Sequence, residues 1–272
     1  MGGRPREEPE EIKSLAPWFH NLHLPGGIQT APDHPLGDFP AIKWAQIAPY
    51  LPESLQGWRA LDIGCNAGFY SFELARRGAR VVGIEHDPHY LEQARWAARR
   101  LNLEGEVELR KQDVYELGRE GEPFDLVLFL GVFYHLRYPL LALDGVAQLT
   151  RRLLVFQSMT MPGKEACRTP EDLPLERRDA FLAPGWPKMA FLEHRLSEDP
   201  TNWWAPNHAA VEAMLRSSGF RLLGRPGHEI YLCEPDLENP SSFWRWNREE
   251  YDKATGRSRS LDRSEDERSD PP

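Results

Sequence analysis

The chain is predicted to be an α/β protein with a Rossmann-like, seven-stranded, mostly parallel sheet and helices on both faces. First, short apolar runs alternate with longer amphipathic segments from residue 58 to residue 233. Second, residues 124–130 (FDLVLFL) are almost all apolar, which is typical of a central strand covered on both faces. Third, a glycine turn follows the first run and an acid ends the second.

The first two runs define one edge of this sheet. Trp58–Ile63 is the first strand, and a glycine turn then leads into a helix from Phe69 to Arg77. Val81–Glu85 is the second strand. In a parallel sheet the glycine turn and Glu85 meet at the carboxyl edge, where nucleoside ligands bind. Glycines let the backbone approach a ligand closely, and Glu85 offers two acceptor oxygens to a pair of ribose hydroxyls.

The other elements follow in chain order. Strands are expected at 106–110, 124–130, 153–156, 220–223 and 229–233, with a helix at 206–217 before the last two. Residues 1–55 form an N-terminal extension or lid that includes a helix from Ala41 to Tyr50. The main domain is 56–235, and 161–205 is a substrate-side insertion before the last helix. Residues 236–272 form a tail that is predicted to be largely disordered after 249.

The glycine turn does not have the dinucleotide pattern. Gly-x-Gly-x-x-Gly would place a pyrophosphate on the helix N-terminus, whereas this loop reads DIGCNAG from Asp62 to Gly68. A carboxylate two residues before Gly64 would repel pyrophosphate but suits a ligand with an amine and a sulfonium. An ordinary strand–turn–helix junction with a solvated acid is the alternative.

This loop resembles motif I of the class I S-adenosylmethionine-dependent methyltransferases, with Asn66 in place of the middle glycine. The resemblance implies S-adenosyl-L-methionine as cofactor, with Asp62 and the loop at its methionine part and Glu85 at its ribose. Asp113 would accept the adenine amine, although a helix cap is the alternative. The predicted cofactor-binding residues are Asp62, Gly64, Cys65, Asn66, Gly68, Glu85, Asp113, Val114, Gly131 and Lys43.

A narrower resemblance starts after the central strand. GVFYHLRYPL, residues 131–140, is similar to a segment of the tRNA wobble-uridine (5-carboxymethoxyuridine-forming) carboxymethyltransferases, as are short pieces at 16–18, 43–44 and 202–206. That family transfers a carboxymethyl group from carboxylated S-adenosylmethionine, and Tyr134 matches a tyrosine at the cofactor end of its site. The basic residues that bind the extra carboxylate in that family have no counterpart in this sequence. Phe19-His20 replaces a lysine, and residues 228–233 contain no arginine. Because burying an unpaired carboxylate is costly, ordinary S-adenosylmethionine and methyl transfer are expected.

His135 is the predicted catalytic base, because a histidine can accept a proton at neutral pH; a structural histidine at a strand end is the alternative. Tyr134 would orient the cofactor or the acceptor. An oxygen of a small-molecule acceptor is expected, with N- and C-acceptors open. The alternatives are a tRNA wobble-uridine-type RNA (carboxy)methyltransferase and a non-catalytic scaffold. A nicotinamide oxidoreductase is the least favoured alternative.

Composition limits the partners. The net charge of −9 over 272 residues, without a Lys/Arg stripe, weakens tRNA as a partner and leaves it open. Three scattered cysteines indicate neither a disulfide framework nor a zinc cluster, and a cytoplasmic location is expected. The spacing of His20, His23 and His34 matches no compact ligand motif, so no metal is predicted. No membrane segment is expected, and the 243–246 region (FWRW) is a candidate oligomer contact.

Overall fold

The computed structural model describes residues 10–117, 122–236 and 244–256. Its central sheet has seven strands: β1 (Arg59–Ile63), β2 (Arg80–Glu85), β3 (Val107–Lys111), β4 (Phe124–Leu130), β5 (Thr150–Gln157), β6 (Phe220–Gly227) and β7 (Ile230–Pro235). The strand order is β6-β7-β5-β4-β1-β2-β3, and β7 runs antiparallel to both of its neighbours. The other neighbouring pairs are parallel. The predicted fold class is confirmed.

Helices cover both faces of the sheet. The described helices are α1 (Glu10–Ser14), α2 (Ala41–Ile47), α3 (Phe69–Arg76), α4 (Pro88–Leu101), α5 (Pro139–Leu149), α6 (His208–Ser217) and α7 (Trp244–Ala254). All seven residues of β4 are buried. Leu126 and Leu128 join the core under α3 and α4, whereas Val127 and Phe129 join the core under α5 and α6. Side chains alternate between the faces of a strand, so a strand covered on both sides is mostly apolar. The exception in β4 is Asp125, which accepts the backbone N–H of Arg59 and pairs with Arg152.

Local chemistry sets the helix boundaries. α4 begins after Asp87, whose carboxylate accepts the backbone N–H of His89 at 2.8 Å. α6 begins at His208 and not at Pro206, because the Asn207 side chain caps it by accepting the N–H of Ala210. The helix predicted to run to Tyr50 ends as α2 at Ile47 and continues as one 3₁₀ turn through Ala48–Tyr50.

The N-terminal extension packs against α4. The side-chain amide of Gln93 donates to the carbonyls of Leu15 and Pro17 at 2.7 and 2.8 Å. The ring of Trp18 lies 5.6 Å from that of Trp96. These contacts hold the extension beside the helix that follows Glu85.

The insertion is anchored to the carboxyl edge of the sheet. A two-stranded ribbon pairs Met189–Phe191 with Trp204–Pro206. The backbone N–H of Trp203 donates to the carbonyl of Tyr134 at 2.9 Å, and the indole N–H of Trp204 donates to that of Leu136 at 3.1 Å. The insertion therefore lies directly beside the predicted catalytic segment.

The C-terminal tail corrects one prediction. Residues 249–254, expected to be disordered, are helical in α7. Tyr251 is buried, and its hydroxyl lies 3.4 Å from the position that a Cβ would take at Gly145 in α5. The buried Tyr251 thus packs α7 against α5. Phe243 and the side chains of 244–246, the candidate oligomer contact, lie outside the described residues.

Within the parts of the chain that the structure covers, no helix has the length and apolar character needed to cross a membrane.

Candidate functional site

The glycine loop between β1 and α3 packs on the segment after β4. Gly64 and Gly68 have φ angles of +68° and +89°, which favour glycine. A Cβ at Gly64 would collide with Cγ2 of Val132, and one at Gly68 would lie 2.6 Å from the ring of Phe72. The loop can therefore approach its neighbours only with glycine at these two positions.

Asn66 adopts the left-handed conformation expected of the glycine that it replaces. Its φ is +50°, and its side-chain oxygen accepts the backbone N–H of Ala67 at 2.8 Å. Asparagine tolerates this region because its short polar side chain bonds locally. The departure from the family pattern thus leaves the loop conformation intact.

Glu85 joins the glycine loop to the start of α4. Its Oε2 accepts the N–H of Asn66 at 2.9 Å, and its Oε1 accepts the N–H of Asp87 at 2.9 Å. The side chain is partly exposed at the carboxyl end of β2. Each carboxylate oxygen has two acceptor positions, so one on each remains for a ligand hydroxyl.

Asp62 lies beneath the loop. It is 1% exposed, and the Ser71 hydroxyl donates to its Oδ2 at 2.6 Å. Burial raises the pKa of Asp62 to about 7, the Ser71 bond lowers it and nearby Glu85 raises it. Burial also raises the pKa of the Cys65 thiol well above its ordinary value, which makes Cys65 an inert filler of the loop.

Asp113 caps the 3₁₀ turn Val114–Glu116. Capping was the alternative to adenine binding for this residue. Its Oδ1 accepts the N–H of Tyr115 at 2.9 Å, while Glu116 accepts the N–H of Asp113 at 3.1 Å. Its Oδ2 lies 3.9 Å from Nδ1 of His86, the residue after Glu85. Val114 is buried beside it. Adenine binding by this pair stays a prediction.

A polar network lies at the carboxyl ends of β4 and β5. Lys43 of α2 donates to Oε1 of Gln157 at 3.2 Å, and Gln157 donates to Glu229 at 3.4 Å. Glu229 also accepts the backbone N–H of Thr160 at 2.7 Å. Burial lowers the pKa of Lys43, and the charge of Glu229 raises it. The ammonium of Lys43 is thus already hydrogen-bonded and lies within the field of a carboxylate.

Tyr134 belongs to the same cluster. Its hydroxyl and Oε1 of Gln157 each lie 3.7 Å from the position that a Cβ would take at Gly131, which has a φ of +73°. Burial raises the pKa of Tyr134 to about 12, and the charges of Glu229 and Asp199 add to the effect. Tyr134 is therefore a neutral hydrogen-bonding group at working pH.

His135 lies next to Tyr134, with their rings 4.3 Å apart. Its Nδ1 is 2.9 Å from Oγ1 of Thr201 and 3.6 Å from Oδ2 of Asp199, both in the insertion. Burial lowers the pKa of His135, whereas Asp199 and Thr201 raise it. Its side chain is 32% exposed, so the imidazole remains accessible.

The side chains of the N-terminal extension separate into two groups. His20 is buried against the rings of Phe69 and Tyr70, directly after the glycine loop. Burial, with the charges of Lys43 and His34, lowers the pKa of His20 to about 3. By contrast, Trp44 packs in the core, and His23 is exposed and bonded to Asp38. Among the described residues, no group of three or more His, Cys, Asp or Glu side chains could hold a metal ion.

Four polar residues of this edge were not predicted: Gln157, Glu229, Asp199 and Thr201. Gln157 could have been found, since it is the first polar residue after the apolar run 153–156 and ends a strand at the carboxyl edge. Asp199 and Thr201 lie 64 and 66 residues from His135, and no local pattern reveals that proximity.

Comparison with known proteins assigns the family. The sequence profile described as "Methyltransferase domain" matches residues 54–209, which is more than half of the chain and covers the glycine loop, Glu85 and His135. The chain belongs to this methyltransferase domain family. The methyltransferase resemblance read from the loop is therefore confirmed. The matched range also includes the whole insertion, residues 161–205.

Curated relatives of this methyltransferase carry the name tRNA U34 carboxymethyltransferase. The protein from Alcanivorax borkumensis is 33% identical over 198 residues, which is 67% of this chain and 58% of that protein. The protein from Pseudomonas fluorescens is 31% identical over 181 residues, which is 65% of this chain and 49% of that protein. The chain thus spans about half the length of the curated relatives it matches.

Solved structures support the methyltransferase fold. The N-terminal domain of EvdMO1, crystallised in the presence of SAH and D-fucose, has a TM-score of 0.57 at 21% identity and covers 83% of this chain and 94% of that one. The mitomycin 7-O-methyltransferase MmcR has a TM-score of 0.52 at 17% identity, and the match covers 73% of this chain and 54% of that one. At such identities the similarity concerns the fold alone.

Proposed function

We propose that the protein transfers a methyl group from S-adenosyl-L-methionine to an oxygen of a small-molecule acceptor. The observation that carries this proposal is the hydrogen bond from the glycine loop to Glu85, at the carboxyl edge of the sheet and within the range that the methyltransferase domain profile matches. The loop offers a backbone surface without Cβ atoms at Gly64 and Gly68, and Glu85 keeps a free acceptor position on each oxygen.

The residues present fit this cofactor. Glu85 would hold the ribose, and Asp62 would favour the amine when it is ionised. Bound S-adenosylmethionine supplies an electrophilic methyl group on a sulfonium, so the protein needs no nucleophile of its own. Positioning donor and acceptor in line can contribute up to ~7–11 kcal/mol to lowering the barrier.

The chain's own contribution is proton transfer and orientation. His135 would accept the proton of the acceptor hydroxyl. A positioned general base of this kind accelerates a reaction by about 10²–10⁴-fold. Tyr134 would donate or accept one hydrogen bond without ionising, since its pKa is about 12. The insertion, hydrogen-bonded to the Tyr134 carbonyl, would form the acceptor wall and exclude water.

The charges around Tyr134 favour the ordinary donor over a carboxylated one. Phe19-His20 stands where the resembled family has a lysine, and His20 is buried and neutral with a pKa of about 3. Lys43 is engaged by Gln157, and Glu229 contributes a negative charge to the same cluster. A donor carboxylate placed here would add a second negative charge beside Glu229, whose charge already interacts with that of Lys43.

A second candidate is carboxymethyl transfer to the wobble uridine of tRNA, which the names of the curated relatives favour. The net charge of −9 weakens the tRNA part of that candidate, and the cluster around Glu229 weakens the carboxymethyl part.

Two measurements test the proposal in sequence. Titration calorimetry with S-adenosylmethionine and S-adenosylhomocysteine should show binding by the whole chain; absence of binding to either would instead support a non-catalytic scaffold. A radiolabelled methyl donor is then offered to fractionated metabolites and to total tRNA. Label in a small molecule supports the proposal, and label in tRNA alone would favour the second candidate.

A further inference from the structure

Three side chains form a short hydrogen-bonded chain between the insertion and the end of β4. Oγ1 of Thr201 lies 2.7 Å from Oδ1 of Asp199 and 2.9 Å from Nδ1 of His135. The backbone N–H of Thr201 also donates to Oδ1 of Asp199 at 2.7 Å. One hydroxyl thus links a carboxylate to one nitrogen of the imidazole.

The direction of these bonds follows from counting hydrogens. Partial burial raises the pKa of Asp199, but the bonds from Thr201 and nearby His135 outweigh it, so the pKa lies below its ordinary value. Asp199 is therefore an ionised, acceptor-only group at neutral pH. A hydroxyl has a single hydrogen, and two oxygens 2.7 Å apart require one between them. The Thr201 hydroxyl must therefore donate its hydrogen to Asp199.

The tautomer of His135 is then fixed. The Thr201 oxygen can face the imidazole only as an acceptor, so Nδ1 must carry a hydrogen. Oδ2 of Asp199, 3.6 Å from the same nitrogen, favours that hydrogen electrostatically. In a neutral imidazole with Nδ1 protonated, Nε2 holds the free lone pair.

We propose that Thr201 and Asp199 are positioning residues that hold neutral His135 in its Nδ1–H form and so present Nε2 as the proton acceptor. The proposal rests on the proposed role of His135 as base. During transfer, Nε2 takes the acceptor's hydroxyl proton, the acceptor oxygen gains the methyl group, and the carbon–sulfur bond breaks to leave a neutral thioether. The proton on His135 is later released to water.

The groups that face His135 support both the neutral Nδ1–H form and the imidazolium that follows proton transfer. Tyr134, from its own turn, stays neutral because its pKa is about 12. Asp199, from the insertion, is the charged group that acts on the ring. Its negative charge stabilises the imidazolium that forms when Nε2 accepts a proton, just as it orders the hydrogen on Nδ1 beforehand.

The tautomer can be read without cofactor or acceptor. ¹⁵N–¹H correlation spectra of the labelled full chain, with His135→Gln used to assign the ring, should show protonated Nδ1 and unprotonated Nε2 at a pH above the histidine pKa. Thr201→Val should give a mixture of tautomers, and Thr201→Ser should restore the wild-type form. A dominant Nε2–H form in the wild type, or an unchanged tautomer in Thr201→Val, overturns the proposal.

Asp199→Asn provides the second readout. Removing its charge should lower the His135 pKa in an NMR titration, since Asp199 raises it; an unchanged pKa also contradicts the proposal. Once an acceptor is known, Thr201→Val should lower the transfer rate at least about tenfold at unchanged cofactor affinity, because a wrong tautomer costs up to ~10⁴ in a serine protease. A correct tautomer in a protein that transfers no methyl group would refute only the proposed function.

Discussion

The backbone N–H of Asn66 donates to Oε2 of Glu85 at 2.9 Å, which ties the glycine loop after β1 to the acid at the end of β2. The two residues are 19 apart in sequence, and they lie at the carboxyl ends of two neighbouring parallel strands, Asn66 in the loop after β1 and Glu85 at the end of β2. The second oxygen of Glu85 holds the N–H of Asp87, the cap of α4. Glu85 is therefore both the proposed ribose ligand and the residue that fixes the two loops around it.

Substitution of Glu85 should weaken cofactor binding. Glu85→Ala removes two ligand acceptors, and it also leaves the N–H groups of Asn66 and Asp87 without their partner. We expect S-adenosylmethionine affinity to fall roughly 10- to 100-fold by calorimetry, as hydrogen bonds to charged groups contribute about 1.5–3 kcal/mol. Glu85→Gln should lose less affinity for S-adenosylmethionine than Glu85→Ala does. Glu108→Gln, an exposed acid on β3 paired with Arg110, is the control. Unchanged affinity in Glu85→Ala would remove the ribose assignment.

Gly64→Ala should destabilise the fold and weaken cofactor binding together. The new Cβ would collide with Val132 at a φ of +68°, and a left-handed non-glycine residue costs about 1–2 kcal/mol before any clash. Thermal unfolding should show a midpoint several degrees lower. Gly105→Ala is the control, because its Cβ meets no atom within 4 Å. Equal midpoints for the two variants would contradict this account of the loop.

The buried carboxylate of Asp62 should make stability depend on pH. Its folded pKa is about 7, compared with about 3.9 when unfolded. Between these values the folded state holds a proton that the unfolded state has lost, so the free energy of unfolding should fall as pH rises from about 4 to 7 and then level off. The contribution is at most about 4 kcal/mol.

Asp62→Asn isolates that contribution from the other titrating groups. Urea unfolding of both proteins at pH 5 and pH 8 should show the variant gaining stability relative to wild type at the higher pH. A difference between the two proteins that does not change with pH would mean that Asp62 ionises at its ordinary pKa.

The sequence predicted the sheet and the meeting of the glycine loop with Glu85 because both depend on local patterns. The apolar run of β4 requires cover on two faces, and the glycines and Glu85 mark strand ends whose meeting follows from parallel pairing. Thr201 and Glu229 reach the same edge by long-range packing, for which no periodicity exists. The helix around Tyr251 was missed for a related reason: Tyr251 is buried against α5, a contact between segments distant in sequence.

His135→Gln should impair transfer while leaving cofactor affinity unchanged. If Nε2 is the base, the rate with an identified acceptor should fall about 10²- to 10⁴-fold at neutral pH. In the wild type the rate should fall as pH drops through the His135 pKa, which burial lowers below its ordinary value. His194→Gln, exposed on the insertion, is the matched control. A transfer rate in His135→Gln equal to that of the control would leave His135 a structural residue.

Donor choice should depend on Glu229. Calorimetry on the wild type should show tighter binding of S-adenosylmethionine than of its carboxylated derivative, because Glu229 opposes a second carboxylate and the charge of Lys43 already interacts with that of Glu229. Glu229→Gln should improve affinity for the carboxylated donor roughly tenfold, the effect of a unit charge at partly buried sites, with little change for the ordinary donor. Glu234→Gln, an acid on β7 paired with Arg221, is the control. A wild-type preference for the carboxylated donor would instead favour carboxymethyl transfer.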